Sequence, residues 1–229
     1  MAEVRRETLE DSLAKMSGLE RAHLELGTVM LKAHDGDLYP MDLLATAALN
    51  RSFAHISGFR PLVVGRNLIC AGAIARLQLD TAMCFYASFL VADPHKFALA
   101  ILAGERVRHM RDAAGNRMTD QYLKNKLAEE YDWVPSVYDR TSGYIHFSAV
   151  HMMSAHRAGP NDDSSSVGTL FSKISATDHD LPEQIYIEAV EAFCAATEIL
   201  LKYVEGWAFT KANPELLAQL HRERDGADA

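Results

Sequence analysis

At 229 residues and a formal charge of −8, the chain is long enough to bury one substantial core. Its acidity argues against a broad nucleic-acid-binding face, which would be basic. Hydrophobic residues at 48% and charged residues at 24% suit a globular protein rather than a disordered one.

The charged, amphipathic start MAEVRRETLEDSLAKM is unlike a signal peptide. The longest apolar run, residues 81 to 92, falls far short of the ~20 residues that span a bilayer. Cys70, Cys84 and Cys194 lie far apart among apolar neighbours. They read as buried free thiols in a reducing compartment, not as a disulfide or zinc framework. A soluble cytoplasmic protein without a membrane contact is expected.

Helical periodicity runs through the chain. Residues 3 to 33 place Leu9, Leu13, Met16, Leu19, Leu24, Val29 and Leu31 at mostly three- and four-residue steps, which predicts an amphipathic helix. His34-Asp35-Gly36-Asp37 ends it, and Tyr39-Pro40-Met41-Asp42 opens a second, expected to close at Gly58-Phe59-Arg60-Pro61. A third helix is expected from residue 62 or 67 to residue 92. Its apolar second half, TAMCFYASFLVA, belongs at a bundle centre. Asp93-Pro94 caps a shorter helix.

Residues 104 to 118 read as a basic loop, Thr119-Asp120 as the cap of the next helix, and Pro135-Ser136 as the start of another. Residues 158 to 166 are expected as an exposed turn. Residues 167 to 175 alternate and predict a short strand or hairpin, within a span reaching to residue 176. Asp180-Leu181-Pro182-Glu183 opens the last long helix, to about residue 211, and Asn213-Pro214 restarts a short tail that frays over residues 220 to 229. The expected architecture is one all-α domain, residues 1 to 229, of seven or eight helices.

The chemistry concentrates in Tyr138-Asp139-Arg140-Thr141-Ser142-Gly143-Tyr144-Ile145-His146-Phe147-Ser148, with His151, His156 and Arg157 beyond. A permanent cation precedes by six residues a group that titrates near neutrality, the pair of types that phosphodiester chemistry uses. Arg140 and His146 form an Arg-x5-His pair, and the segment YDRTSGYIHFS resembles the Arg-x(4–6)-His helix of the HEPN superfamily. The resemblance covers this helix and, loosely, the all-helical frame. It implies a metal-independent endoribonuclease of a toxin or phage-defence system, a homodimer, and a cognate antitoxin or regulatory protein.

On that reading RNA is the substrate, and no cofactor or metal is needed. His146 serves as general acid or base toward the 2′-hydroxyl or leaving 5′-oxygen. Arg140 holds the scissile phosphate. Ser142, Tyr144 and Ser148 position these groups. Two departures stand out. Thr141 follows the arginine where many active members carry Asn, Asp or His. Six residues of straight helix also turn a side chain by about 240°, so Arg140 and His146 meet only through a bend at Gly143 or across a two-fold interface.

A second polar island holds Arg66-Asn67 and Arg76-Leu77-Gln78-Leu79-Asp80. Arg66 or Arg76 either supplements a phosphate pocket or, with Asp80 at i,i+4, forms an internal salt bridge. His146, His151 and His156 spiral around a helix rather than stack as ligands. Glu20-Arg21-Ala22-His23 has one half of a di-iron spacing and no second copy. His34-Asp35 and His179-Asp180 read as solvated turn residues. Arg106, Arg108, His109, Arg111 and Arg117 form the most basic stretch, either a polyanion-steering patch or a solvated face. No phosphate-binding glycine loop, nucleophile elbow or Cys-x-x-Cys is present. The alternative function is a noncatalytic helical interaction or regulatory module, with Arg140 and His146 in a structural polar network.

Overall fold

The computed structural model describes residues 8–158, 170–178 and 180–215. Among them run eight α-helices: α1 Leu9–Lys32, α2 Pro40–Val64, α3 Leu68–Tyr86, α4 Pro94–Leu102, α5 Asp120–Ala128, α6 Val134–Ile145, α7 Ala149–Ala155 and α8 Glu183–Ala212. Two short strands, β1 His156–Ala158 and β2 Leu170–Ser172, pair antiparallel. The architecture is an all-α bundle, as the periodicity predicts. The start of the first predicted helix, most of the 158–166 turn, residues 167 to 169, His179 and the frayed tail lie outside the described residues.

Helix α3 holds the centre, against α2, α5, α6 and α8, while α1 lies along α8. The sequence builds this frame with ordinary caps. Thr8 and Asp11 close a capping box on α1, Asp93 with Pro94 starts α4, and Thr119 accepts from Tyr122 N–H to start α5. The core forms two clusters. One gathers Met41, Leu79, Met83, Leu200 and Trp207. The other gathers Ile56, Phe59, Tyr186 and Phe193, with the Phe59 and Phe193 rings stacked at 4.2 Å between centroids.

Several boundaries differ from expectation. α2 runs through Pro61 to Val64. The proline deletes one backbone donor, but Phe59 and Val63 on either side are fully buried, and that burial carries the helix on. α3 stops at Tyr86 and tightens into a 3-10 turn over Ala87–Phe89. There the buried Ser88 hydroxyl donates to Phe85 O at 2.7 Å, satisfying a carbonyl of the ending helix.

The 167–176 segment does supply a strand, but its partner is 156–158 rather than a turn within itself. Of the three free cysteines only Cys194 is buried in the core, and Cys70 and Cys84 face outward on α3. Residues Leu68–Phe89 are long and apolar enough to cross a bilayer by composition, yet 61% of that window is buried inside the bundle, as a central helix would be.

Candidate functional site

The motif stretch does not lie on one helix. α6 stays regular through Gly143 and ends at Ile145, with His146 as its extended C-cap. Ser148 then makes the reversal. Its hydroxyl donates to Gly143 O at 2.8 Å and accepts from Val150 N–H at 3.3 Å, while Ser148 N–H donates to His151 Nδ1 at 3.2 Å. The bend expected at Gly143 falls instead at residues 146–148. Gly143 serves a different need, since a Cβ there would lie 2.9 Å from Val150 Cγ2. It lets α7 fold back onto α6.

Among the described residues no hydrogen bond joins Arg140 to His146. Arg140 projects toward α8, with its side chain 68% exposed, and its Nη2 donates to Glu188 Oε2 at 3.3 Å. His146 is exposed. Around it the arm of α7 and β2 leaves Ile145, Phe147, Met153 and Phe171 to solvent, with Phe147 85% exposed. Phe147 stacks on His151 at 5.4 Å.

Ser142 and Tyr144 point inward. Arg76 is 5% exposed, pairs with Asp80 along α3, donates from Nε to Ser142 Oγ at 3.3 Å and lies 3.6 Å over the Tyr138 ring. Burial pushes its guanidinium pKa down, opposed by the nearby Tyr138 and Asp120. Every feature of Arg76 is that of a satisfied internal cation locking α3 to α6.

Tyr144 presses on Gly72, where a Cβ would meet Tyr144 Cδ2 at 2.3 Å. Burial raises its phenol pKa, with Arg140 acting in the opposite sense. Between Gly72, Tyr144, Arg140 and Glu188 sits a small apolar hollow of about 80 Å³.

Arg66 stands apart from Arg140, in the α2–α3 turn. It adopts the left-handed conformation at φ 57°, a cost of about 1 kcal/mol for a non-glycine. It is held there on both ends. Its carbonyl accepts from Asp178 N–H at 2.7 Å and Tyr186 OH at 3.2 Å, and its guanidinium pairs with Glu183 at 3.3 Å. Tyr186 is pushed up to about 12, first by burial and then by Asp178.

Two buried networks join residues that no single motif in the sequence connects. In the first, His23 Nδ1–H donates to Leu19 O at 2.7 Å, since a carbonyl only accepts. Neutral His23 Nε2 then accepts from Ser52 Oγ at 2.8 Å. Gln78 Nε2 donates to Ser52 Oγ at 2.7 Å, and His55 Nδ1–H donates to Gln78 Oε1 at 2.9 Å. Burial lowers the pKa of both histidines, outweighing their hydrogen bonds to Leu19 and Gln78. Glu20 therefore does not share a metal with His23.

In the second, Lys211 and Asp42, both fully buried, meet at 2.9 Å. Asp42 also accepts from Trp207 Nε1 at 2.8 Å and Tyr39 N–H at 2.8 Å. Among the described residues no group of three or more His, Cys, Asp or Glu is placed to hold a metal ion.

Compared with known protein families, curated proteins and solved structures, the chain matches none.

Proposed function

We propose that this protein is an HEPN-like, metal-independent endoribonuclease acting as a cytoplasmic homodimer in a toxin or phage-defence system, under control of a cognate antitoxin or regulatory protein. One observation carries the reading. Arg140 and His146 both remain open to solvent, and His146 sits beside an apolar arm that one protomer leaves uncovered. A second copy covering that arm places His146 of one subunit near Arg140 of the other, or two histidines at one site.

The chemistry follows from the groups. One imidazole takes the proton of the RNA 2′-hydroxyl, and the oxygen attacks phosphorus. The 5′-oxygen leaves with a proton from the second imidazole, giving a 2′,3′-cyclic phosphate. Arg140 releases Glu188 and neutralises charge on the nonbridging oxygens. Arg76, Ser142 and Tyr138 hold α6 rigid beneath it.

The Arg140–Glu188 contact at 3.3 Å favours a second reading, a noncatalytic helical interaction or regulatory module in which that pair is structural. Purified wild type, Arg140→Ala and His146→Ala, incubated with RNA and chelator, separate the two. The nuclease reading expects cleavage by wild type and a loss of about 10²-fold or more in each variant, with light scattering reporting a dimer. Cleavage that requires a divalent metal, or that survives both substitutions, overturns it. A wild type that never cleaves leaves the interaction module.

A further inference from the structure

We propose that the segment from Arg106 to Gln121 forms a preorganised binding site for phosphoryl groups, distinct from the Arg140–His146 region. Arg108, His109 and Arg117 line an open hollow of about 410 Å³ together with Thr119, Asp120 and Gln121. In a chain of net charge −8 this is where cations gather without a carboxylate bonded to them. Arg66, Arg76 and Arg140 each have an acidic partner. Among the described residues Arg106, Arg108, His109 and Arg117 have no side-chain hydrogen bond or ion pair. Exposed cations repel one another, so a protein that clusters them without partners leaves an unmet demand for an anion.

A solvated charge run would be loosely tethered, and this segment is not. Met118 is fully buried, and Val107 and Met110 pack on the same core cluster. Met118 N–H donates to Met110 O at 3.0 Å, and Ala113 N–H donates to Leu90 O at 2.9 Å. Arg111 and Arg117 face each other across an antiparallel bridge, and Arg111 Nη1 turns back to Gly115 O at 2.6 Å. Asp112 accepts from Asn116 N–H at 2.7 Å and from the Tyr122 hydroxyl, so its oxygens are directed at neutral donors and not at the guanidinium groups.

Asp120, the remaining acid on the rim, also lies in electrostatic range of the internal Arg76. Two permanent cations and an imidazole therefore face the hollow against one carboxylate. The groups that match are phosphate oxygens, which accept from a guanidinium fork in bidentate fashion. The hollow is open, so the phosphate belongs either to a strand backbone or to a free phosphorylated metabolite.

This inference does not depend on the Arg140–His146 pair being catalytic. It is read with full-length protein and a fluorescent single-stranded RNA bearing 2′-O-methyl groups, which cannot be cut by 2′-hydroxyl attack. Adenosine monophosphate is titrated separately by calorimetry. The expected result is RNA binding that weakens with salt and falls about tenfold or more in Arg108→Ala/Arg117→Ala, with the log–log salt slope reduced by about 1.4.

The control Arg60→Ala/Lys96→Ala removes the same net charge elsewhere and leaves affinity unchanged. Binding of the monophosphate alone, abolished by the same double variant, identifies a free metabolite as the source and supports the site equally. Neither probe binding, or both binding wild type and variant alike, overturns it. Cleavage of unmodified RNA is scored apart. A wild type that cleaves unmodified RNA but binds neither probe counts against this site only. A wild type that binds a probe through Arg108 and Arg117 but does not cleave counts against the nuclease only.

Discussion

Single residues here divide into those whose demands are met inside the bundle and those left facing water. Arg76 and Arg140 show the division. Both are arginines on helices, yet one is buried under Tyr138, Ser142 and Asp80 and the other stands mostly in solvent beside Glu188. The sharpest case is Asp42 with Lys211, neither of which touches water. Asp42→Ala leaves a buried ammonium with the Met30 carbonyl at 3.1 Å and the face of the Tyr39 ring at 5.8 Å, and no counter-charge. Loss of about 3–5 kcal/mol follows, visible as a lower urea midpoint, whereas Glu188→Ala should change stability by less than about 1 kcal/mol and barely move that midpoint. Equal effects would mean the two pairs are misjudged. Partner identity at this scale was not legible in the sequence. The i,i+4 spacing of Arg76 and Asp80 was visible, but Glu188 lies 48 residues from Arg140 and Asp42 lies 169 from Lys211, and no local pattern encodes such meetings.

Elements were legible where a side chain marks their ends. Asp93 and Thr119 announce their helices by accepting the first free N–H groups, whereas Thr8, which caps α1 in the same way, was hidden inside a helical pattern that starts at residue 3. Boundaries set by tertiary burial were not, which is why α2 passes Pro61 and α3 stops before the apolar run does. The α6–α7 break belongs to the same class. Hydrophobic spacing continues across residues 145–150, and only the Ser148 hydroxyl, bonded back to Gly143 O, reveals the reversal. Ser148→Ala should cost about 1 kcal/mol and speed amide exchange at Val150 and His151 while sparing α8. Uniform protection in the variant would refute the role. Gly72→Ala tests the other contact of α6, forcing Tyr144 outward at about 1–3 kcal/mol, with a shift in tyrosine fluorescence.

The whole molecule responds to acid through its interior. His23 and His55 are held neutral by burial, below their ordinary value of 6.5. In the unfolded chain they take up protons as pH falls past 6.5, and in the folded chain they do so only at lower pH. Their contribution to stability is therefore complete above 6.5 and drains away below it. Urea midpoints measured from about pH 7.5 to about pH 5 should fall, and His23→Gln/His55→Gln should flatten that part of the curve. A rise on acidification would contradict the buried network. The all-helical class was readable from periodicity alone, because every long helix buries a stripe. Which surfaces stay uncovered, such as the arm bearing Phe147 and the hollow beside Arg108, is a property of assembled geometry.

The Lys211 knot has a consequence for how the chain comes into being. α8 supplies residues to both core clusters, and its last turn bonds the Met30 carbonyl, 181 residues earlier. A growing polypeptide can wind α1 to α6 as they leave the ribosome, but it cannot seal one core until Cys194 has emerged or the other until Ala208 has. Stalled or clipped products ending before those points expose apolar faces and fall to chaperones and proteases. The finished surface, and any activity built on it, thus waits on the emergence of α8 rather than on the helices made before it.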